Sequence, residues 1–158
     1  MRTFQGGFEA RGRRFALVAA RFNEVVVREL VEGAQACLRR HGVGDDDVDL
    51  AWTPGAFEIP LVARRLAETG AYDAVICLGA VIRGDTPHFD HVAGQVATGV
   101  REAGIATGVP VIFGVLTTDT VEQAVDRAGG KHGNKGWDAA MAGMEMAGLL
   151  EALPKPEA

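Results

Sequence analysis

Ala74-Val75-Ile76-Cys77-Leu78-Gly79-Ala80 is a run of seven residues without a polar side chain, and Asp73 and Arg83 stand close on either side of it. A run this short and this apolar marks a strand buried on both faces, which occurs where helices cover both sides of a parallel sheet. The same pattern recurs along the chain. Phe15 to Ala20, Val48 to Thr53 and Val109 to Leu116 are further strand-sized apolar segments. Each is followed by a short loop and then by apolar residues at helical spacing. Val27, Leu30, Val31, Ala34 and Leu38 trace the first such stripe, ending near His41-Gly42. Leu61, Val62 and Leu66 trace the second, with Pro60 in its first turn and Gly70 at its end. The third runs from His88 towards Gly104 and the fourth from about Val121 to Ala128. A last helix runs from about Trp137 to Leu150, after the Gly/Lys-rich break Gly129 to Gly136.

Strands alternating with helices predict an α/β fold: a single-domain three-layer sandwich with a central parallel sheet, flavodoxin-like, with right-handed crossovers. The domain spans residues 14–153. Residues 1–13 form an N-terminal arm, a candidate edge strand on this or a neighbouring subunit, and residues 154–158 a disordered tail. The 158 residues are 47% hydrophobic, enough for one core, and 21 glycines punctuate the short loops. The net charge of -5, with dispersed basic residues, argues against nucleic acid as a partner. No apolar stretch spans a bilayer and no signal peptide is evident, so a cytoplasmic protein is expected. Cys37 and Cys77 lie in apolar periodic segments and read as buried free thiols.

In such folds ligands bind beyond the carboxyl ends of the strands, so the loops there carry the functional argument. Arg21-Phe22-Asn23 follows the first strand, with Asn23 placed to cap the next helix. Phe22 and Phe57 can stack on a planar heterocycle. For Phe57 the plainer role, covering the sheet edge, is preferred. Glu58 can accept from sugar-type hydroxyls or simply favour a helix N-terminus. Val81-Ile82-Arg83-Gly84-Asp85-Thr86-Pro87-His88 is the richest loop. Gly84 permits close backbone approach, and Thr86 offers a hydroxyl beside a helix start, which makes a phosphate seat or, more plainly, a turn with a capping threonine. His88 can move a proton near neutral pH, tuned by Asp90 or His91. His88 and His91 also form a weak metal pair without a third ligand. Arg127 and the lysines of Gly129 to Gly136 form a cationic patch for a phosphate, or a solvated helix end. Lys131 or Lys135 acting through a Schiff base is a rival, as is a flavodoxin-like binding protein without catalysis.

Taken in order, Pro54-Gly55-Ala56-Phe57-Glu58-Ile59-Pro60, Leu78 to Asp90, Phe113-Gly114-Val115-Leu116-Thr117 and Asn134-Lys135-Gly136 resemble the lumazine synthase family, from about Phe15 to Leu150. The resemblance implies an enzyme that condenses 5-amino-6-(D-ribitylamino)uracil with 3,4-dihydroxy-2-butanone 4-phosphate, without metal or organic cofactor. It places Phe22 on the pyrimidine, and Asn23, Ala56, Phe57 and Glu58 along the ribityl chain. Backbone groups of Ala80, Val81 and Ile82 meet the uracil edge. Asp85, through its backbone alone, and Thr86 meet the phosphate with Arg127, and His88 donates a proton. Phe113, Arg127 and Lys135 enter from an adjacent subunit. The resemblance also implies a homo-oligomer, a pentamer and by analogy a 60-mer of twelve pentamers, with riboflavin synthase as a candidate partner. A purely structural shell protein is the third rival.

Overall fold

The computed structural model describes residues 1–157. Four parallel strands, β1 (Phe15–Ala20), β2 (Val48–Thr53), β3 (Ala74–Ile82) and β4 (Val111–Thr118), form one sheet in the order β2-β1-β3-β4. The helices are α1 (Glu24–Arg40), α2 (Ile59–Glu68), α3 (His88–Thr107), α4 (Val121–Asp126) and α5 (Lys135–Ala152). A small antiparallel hairpin, β5 (Ala128–Gly130) and β6 (Gly133–Asn134), stands between α4 and α5. The flavodoxin-like sandwich read from the apolar runs is therefore the fold of the chain.

Side chains alternate along β1, and both faces are buried. Phe15, Leu17 and Ala19 join Val27, Leu30, Leu38 and Met144 under α1 and α5. Ala16, Val18 and Ala20 join Ile59, Ala63, Val96 and Val100 under α2 and α3. This is why the strand sequence shows no polar alternation: each successive side chain enters a different core. At Gly114 the sheet and α5 approach closely. A Cβ there would lie 2.7 Å from the Cys77 carbonyl oxygen and 2.9 Å from the Ala139 methyl.

Several boundaries differ from the sequence reading. β4 begins at Val111, two residues later, and runs on to Thr118, because it follows β3 in register from Val75↔Val111 to Ile82↔Thr118. α3 continues to Thr107, where Gly108 takes the left-handed conformation (φ 70°) that ends a helix. α5 starts at Lys135, earlier than the apolar pattern shows, because the Asn134 Oδ1 accepts from the Gly136 and Trp137 amides at 2.8 and 3.1 Å. The Gly/Lys-rich break is thus an ordered hairpin and cap. Residues 1–13 pair with no strand of their own chain. Part of the arm lies against α5, where Gly6 meets the backbone of Glu145 and Leu149. Residues 154–157 form no helix or strand, and Ala158 of the expected tail lies outside the described residues. Cys37 and Cys77 are free and fully buried. Among the described residues no helix is long and apolar enough to cross a membrane.

Candidate active site

α1 and α2 leave the sheet on opposite faces, so the chain direction switches between β1 and β3. A crevice opens there at the carboxyl ends of the strands, as the fold dictates. It is a cleft of about 580 Å³. Phe22 and Asn23 enter from the end of β1, and Pro54 to Glu58 from the end of β2. Ala80 to Ile82 enter from the end of β3, and His88, Phe89, His91 and Val92 from the first turn of α3. The sequence-based set thus brings together Phe22, Asn23, Ala56, Phe57, Glu58, Ala80, Val81, Ile82 and His88. Phe89 and Val92 were missing from it. Helical spacing was the signal for Val92, four places after His88 on the same face; Phe89, the very next residue, had none.

The backbone of β3 explains the middle of this set. β1 pairs with β3 only as far as Ala19↔Leu78, whereas β4 pairs with it to Ile82↔Thr118. Residues 80–82 are therefore hydrogen-bonded on one edge and open on the other. An open strand edge presents amide donors and carbonyl acceptors in a row, as an edge of a planar heterocycle requires. Asn23 occupies the start of this edge, its Nδ2 donating to the Ala80 carbonyl at 2.8 Å. The expectation that its side chain caps α1 is corrected: Asn23 makes no side-chain cap bond, because its left-handed backbone (φ 62°) turns the amide towards β3. Its carbonyl still accepts from Val26 and Val27.

Phe22 is 72% exposed and Phe57 59% exposed, both on the cleft. Phe57 therefore does not cover the sheet edge, and the plainer reading of it is corrected. Ala56, which opens a single 3-10 turn ending at Glu58, is buried, and Glu58 is exposed at the N-terminus of α2 with no side-chain cap bond. His88 is exposed as the first residue of α3.

The loop before it is plainer than the sequence suggested. Gly84, Asp85, Thr86 and Pro87 are exposed, and Asp85 and Thr86 line neither this cleft nor the pocket described next. Pro87 stands at the cap of α3 without a side-chain bond, so Thr86 is not a capping threonine. Gly84 has no atoms within 4 Å of where its Cβ would stand.

The remaining three candidates lie elsewhere. Phe113, Arg127 and Lys135 line a second pocket of about 460 Å³ with Thr117, Thr118, His132 and Asp138, and it shares no residue with the first. Phe113 is 38% exposed on the edge strand β4. The Arg127 Nη1 donates to the Gln123 carbonyl at 3.0 Å at the end of α4, so the helix-end role and a pocket-facing role coexist. Thr117, Thr118 and His132 lie in segments the sequence singles out but carried no role of their own, and Asp138 lies outside all of them. They come together because β4, the hairpin and α5 converge, which no single segment encodes. Among the described residues no group of three or more His, Cys, Asp or Glu side chains is placed to hold a metal ion. Burial pushes the Cys77 thiol up to about 12, so it stays protonated and is not a nucleophile of this site.

Fold and cleft together define a class: a doubly wound α/β protein with a heterocycle-sized, aromatic-flanked cleft at its switch point and a histidine on its rim. Within that class the sequence matches the family model for 6,7-dimethyl-8-ribityllumazine synthase over residues 12–151. Two relatives from Clostridium kluyveri, each named 6,7-dimethyl-8-ribityllumazine synthase, are 53% identical over 153 residues, covering 97% of this chain and 99% of theirs. The chain belongs to the 6,7-dimethyl-8-ribityllumazine synthase family.

Proposed function

We propose that the chain catalyses the reaction for which its family is named, condensing 5-amino-6-(D-ribitylamino)uracil with 3,4-dihydroxy-2-butanone 4-phosphate. The products are 6,7-dimethyl-8-ribityllumazine, phosphate and two waters. The observation that carries the reading is the open β3 edge at Ala80 to Ile82, flanked by exposed Phe22 and Phe57 and faced by His88. Phe22 stacks on the pyrimidine and the edge pairs with its polar groups. Asn23, Ala56, Phe57 and Glu58 run along the ribityl chain. The 5-amino nitrogen attacks the ketone carbon and water leaves, giving an imine. Phosphate is then eliminated, and the ribityl-bearing nitrogen closes the second ring with loss of another water. Each step moves protons, with His88 as the donor, and no electrons are gained or lost overall, so the reaction is read as cofactor-independent. Holding both substrates in register is worth roughly 7–11 kcal/mol, against the 10²–10⁴-fold of one proton-transfer group, so positioning dominates.

The two separate pockets support a site shared between subunits. Phe113, Arg127 and Lys135 of one protomer complete the His88 cleft of the next, with Arg127, Thr86 and the Asp85 backbone on the phosphate. Seven large apolar side chains, Met1, Phe22, Val25, Phe57, Leu61, Ile105 and Val121, are more than half exposed in the single chain. A pentamer, and by family analogy a shell of twelve pentamers in the cytoplasm with riboflavin synthase as a partner, accommodates them. Mixing purified protein with the two substrates and following lumazine fluorescence tests the activity. No lumazine at any protein concentration would overturn it.

A further inference from the structure

Among the described residues, Arg83 makes the only side-chain hydrogen bonds from the loop before His88, while Phe89 and Val92 pack that turn against the core under α2 and α3. Its Nε donates to the Asp119 Oδ1 at 2.9 Å, and its Nη1 to the Asp90 Oδ1 at 3.5 Å. Its guanidinium carbon lies 4.4 Å from the centre of the Phe89 ring. The Arg83 amide donates to the Thr118 carbonyl at 2.8 Å, closing the β3–β4 ladder. Phe89 and Asp90 are the two residues directly after His88, and Phe89 lines the cleft. Among the described residues no side-chain hydrogen bond forms from Gly84 to Pro87, and α3 begins without a side-chain cap. An uncapped first turn frays unless something outside the helix holds it. Here one arginine grips that turn by a carboxylate and a ring face at once.

The other end of the grip is also fixed. The Asp119 amide donates to the Gln123 Oε1 at 2.8 Å, and the Gln123 carbonyl accepts from Arg127 at 3.0 Å. Polar contacts thus run from the turn of His88 through Asp90, Arg83, Asp119 and Gln123 to Arg127. An isolated exposed ion pair contributes little, because both side chains lose entropy for a screened attraction. A guanidinium held at Nε, Nη1 and its face is already ordered by each contact when it makes the next, and its planar fork suits this as an ammonium does not.

We propose that Arg83 is a positioning residue for the condensation: it holds the first turn of α3, and with it the His88 imidazole, in the geometry for proton transfer. The proposal rests on the reaction proposed above. Three full-length variants and one conservative control test it by steady-state kinetics with both substrates and by thermal unfolding: Arg83→Gln, Asp119→Asn and the double variant of these two, with Arg83→Lys as the control. Arg83→Gln should lower kcat about 10-fold or more, since displacement by about 1 Å can cost up to 10²-fold. KM for each substrate should stay within about threefold, because uniform binding is untouched. Arg83→Lys should recover only part of the loss. Asp119→Asn removes the charge of the same bridge from a surface position, so it tests the proposal even where an Arg83 variant folds poorly. The double variant should be no slower than Arg83→Gln alone, since the two side chains act as one unit. Wild-type kcat in both single variants, strictly additive losses, or losses confined to KM would overturn the positioning role while leaving the activity standing. Wild-type protein that forms no lumazine would overturn the activity and the proposal with it.

Discussion

The Asn23 side-chain amide donates to the Ala80 carbonyl at 2.8 Å, joining the end of β1 to β3 where those two strands have ceased to pair. The bond fixes the first acceptor of the open edge that faces the cleft. Asn23 is also the one non-glycine residue with positive φ among the described residues, at 62°. Asparagine tolerates that conformation and glycine tolerates it better. Asn23→Gly therefore isolates the hydrogen bond from the backbone. It should destabilise the fold by about 1 kcal/mol, the net value of such a bond, and weaken binding of an aminouracil analogue. Unchanged affinity in a titration would separate Asn23 from the ligand edge.

His88 stands at the first position of α3 on the rim of the cleft and is exposed, so its removal costs little packing. His88→Ala should lower turnover by roughly 10- to 10³-fold, within the range of a single proton-transfer group, with its melting temperature unchanged. Wild-type turnover in the variant would remove the imidazole from the mechanism.

Phe22 and Arg127 line different pockets and should fail differently. Phe22→Ala should cost about 1 kcal/mol in aminouracil binding, the scale of an aromatic pair beyond buried area. Arg127→Ala should weaken the sugar phosphate far more than the aminouracil, because a guanidinium recognises phosphate by charge and paired donors. Separate KM values for the two substrates decide the matter, and equal losses in the Arg127 variant would leave it only its contact with Gln123.

The buried thiols make stability depend on alkaline pH. Burial, with the charge of Asp138 adding to it, raises Cys37 from 9.0 to about 11, and burial raises Cys77 from 9.0 to about 12. Unfolded thiols ionise near 9, whereas the folded ones stay protonated. Above that point the unfolded state binds fewer protons, so stability falls as pH rises through this window and is insensitive to the thiols below it. For Cys77 the slope is about 1.4 kcal/mol per pH unit. Urea unfolding at a series of alkaline pH values should show a shallower decline in Cys77→Ala than in the wild type. Parallel declines would contradict the assignment.

A shared site predicts that activity follows assembly. Lys131 and His132 alone join β5 to β6, so the hairpin before α5 is compact. Sedimentation velocity should show at least a pentamer, a closed ring of head-to-tail contacts. A fully active species with the mass of one chain would sink the shared site, whereas a stable pentamer would sink only the shell.

The sequence by itself determined the layers and the loops. Runs such as Phe15 to Ala20 and Ala74 to Ala80 are apolar at every position because both faces are covered, and that fact is local enough to read from residue order. The strand-end rule then places Phe22, Glu58 and His88 at one end of the molecule. Tertiary structure decided what depends on contacts between distant segments. The Asn23 amide could cap α1 or reach Ala80, fifty-seven residues away, and only the β1–β3 register sends it to Ala80. Arg83 looked like one more charge in a polar loop until β4 brought Asp119 beside it. Lys135 read as part of a flexible break until Asn134, through its bond to the Glu29 carbonyl on α1, fixed the start of α5. Periodicity records which side of an element is buried. It does not record which partner a polar side chain meets, because that depends on the register of strands and helices far apart in the chain.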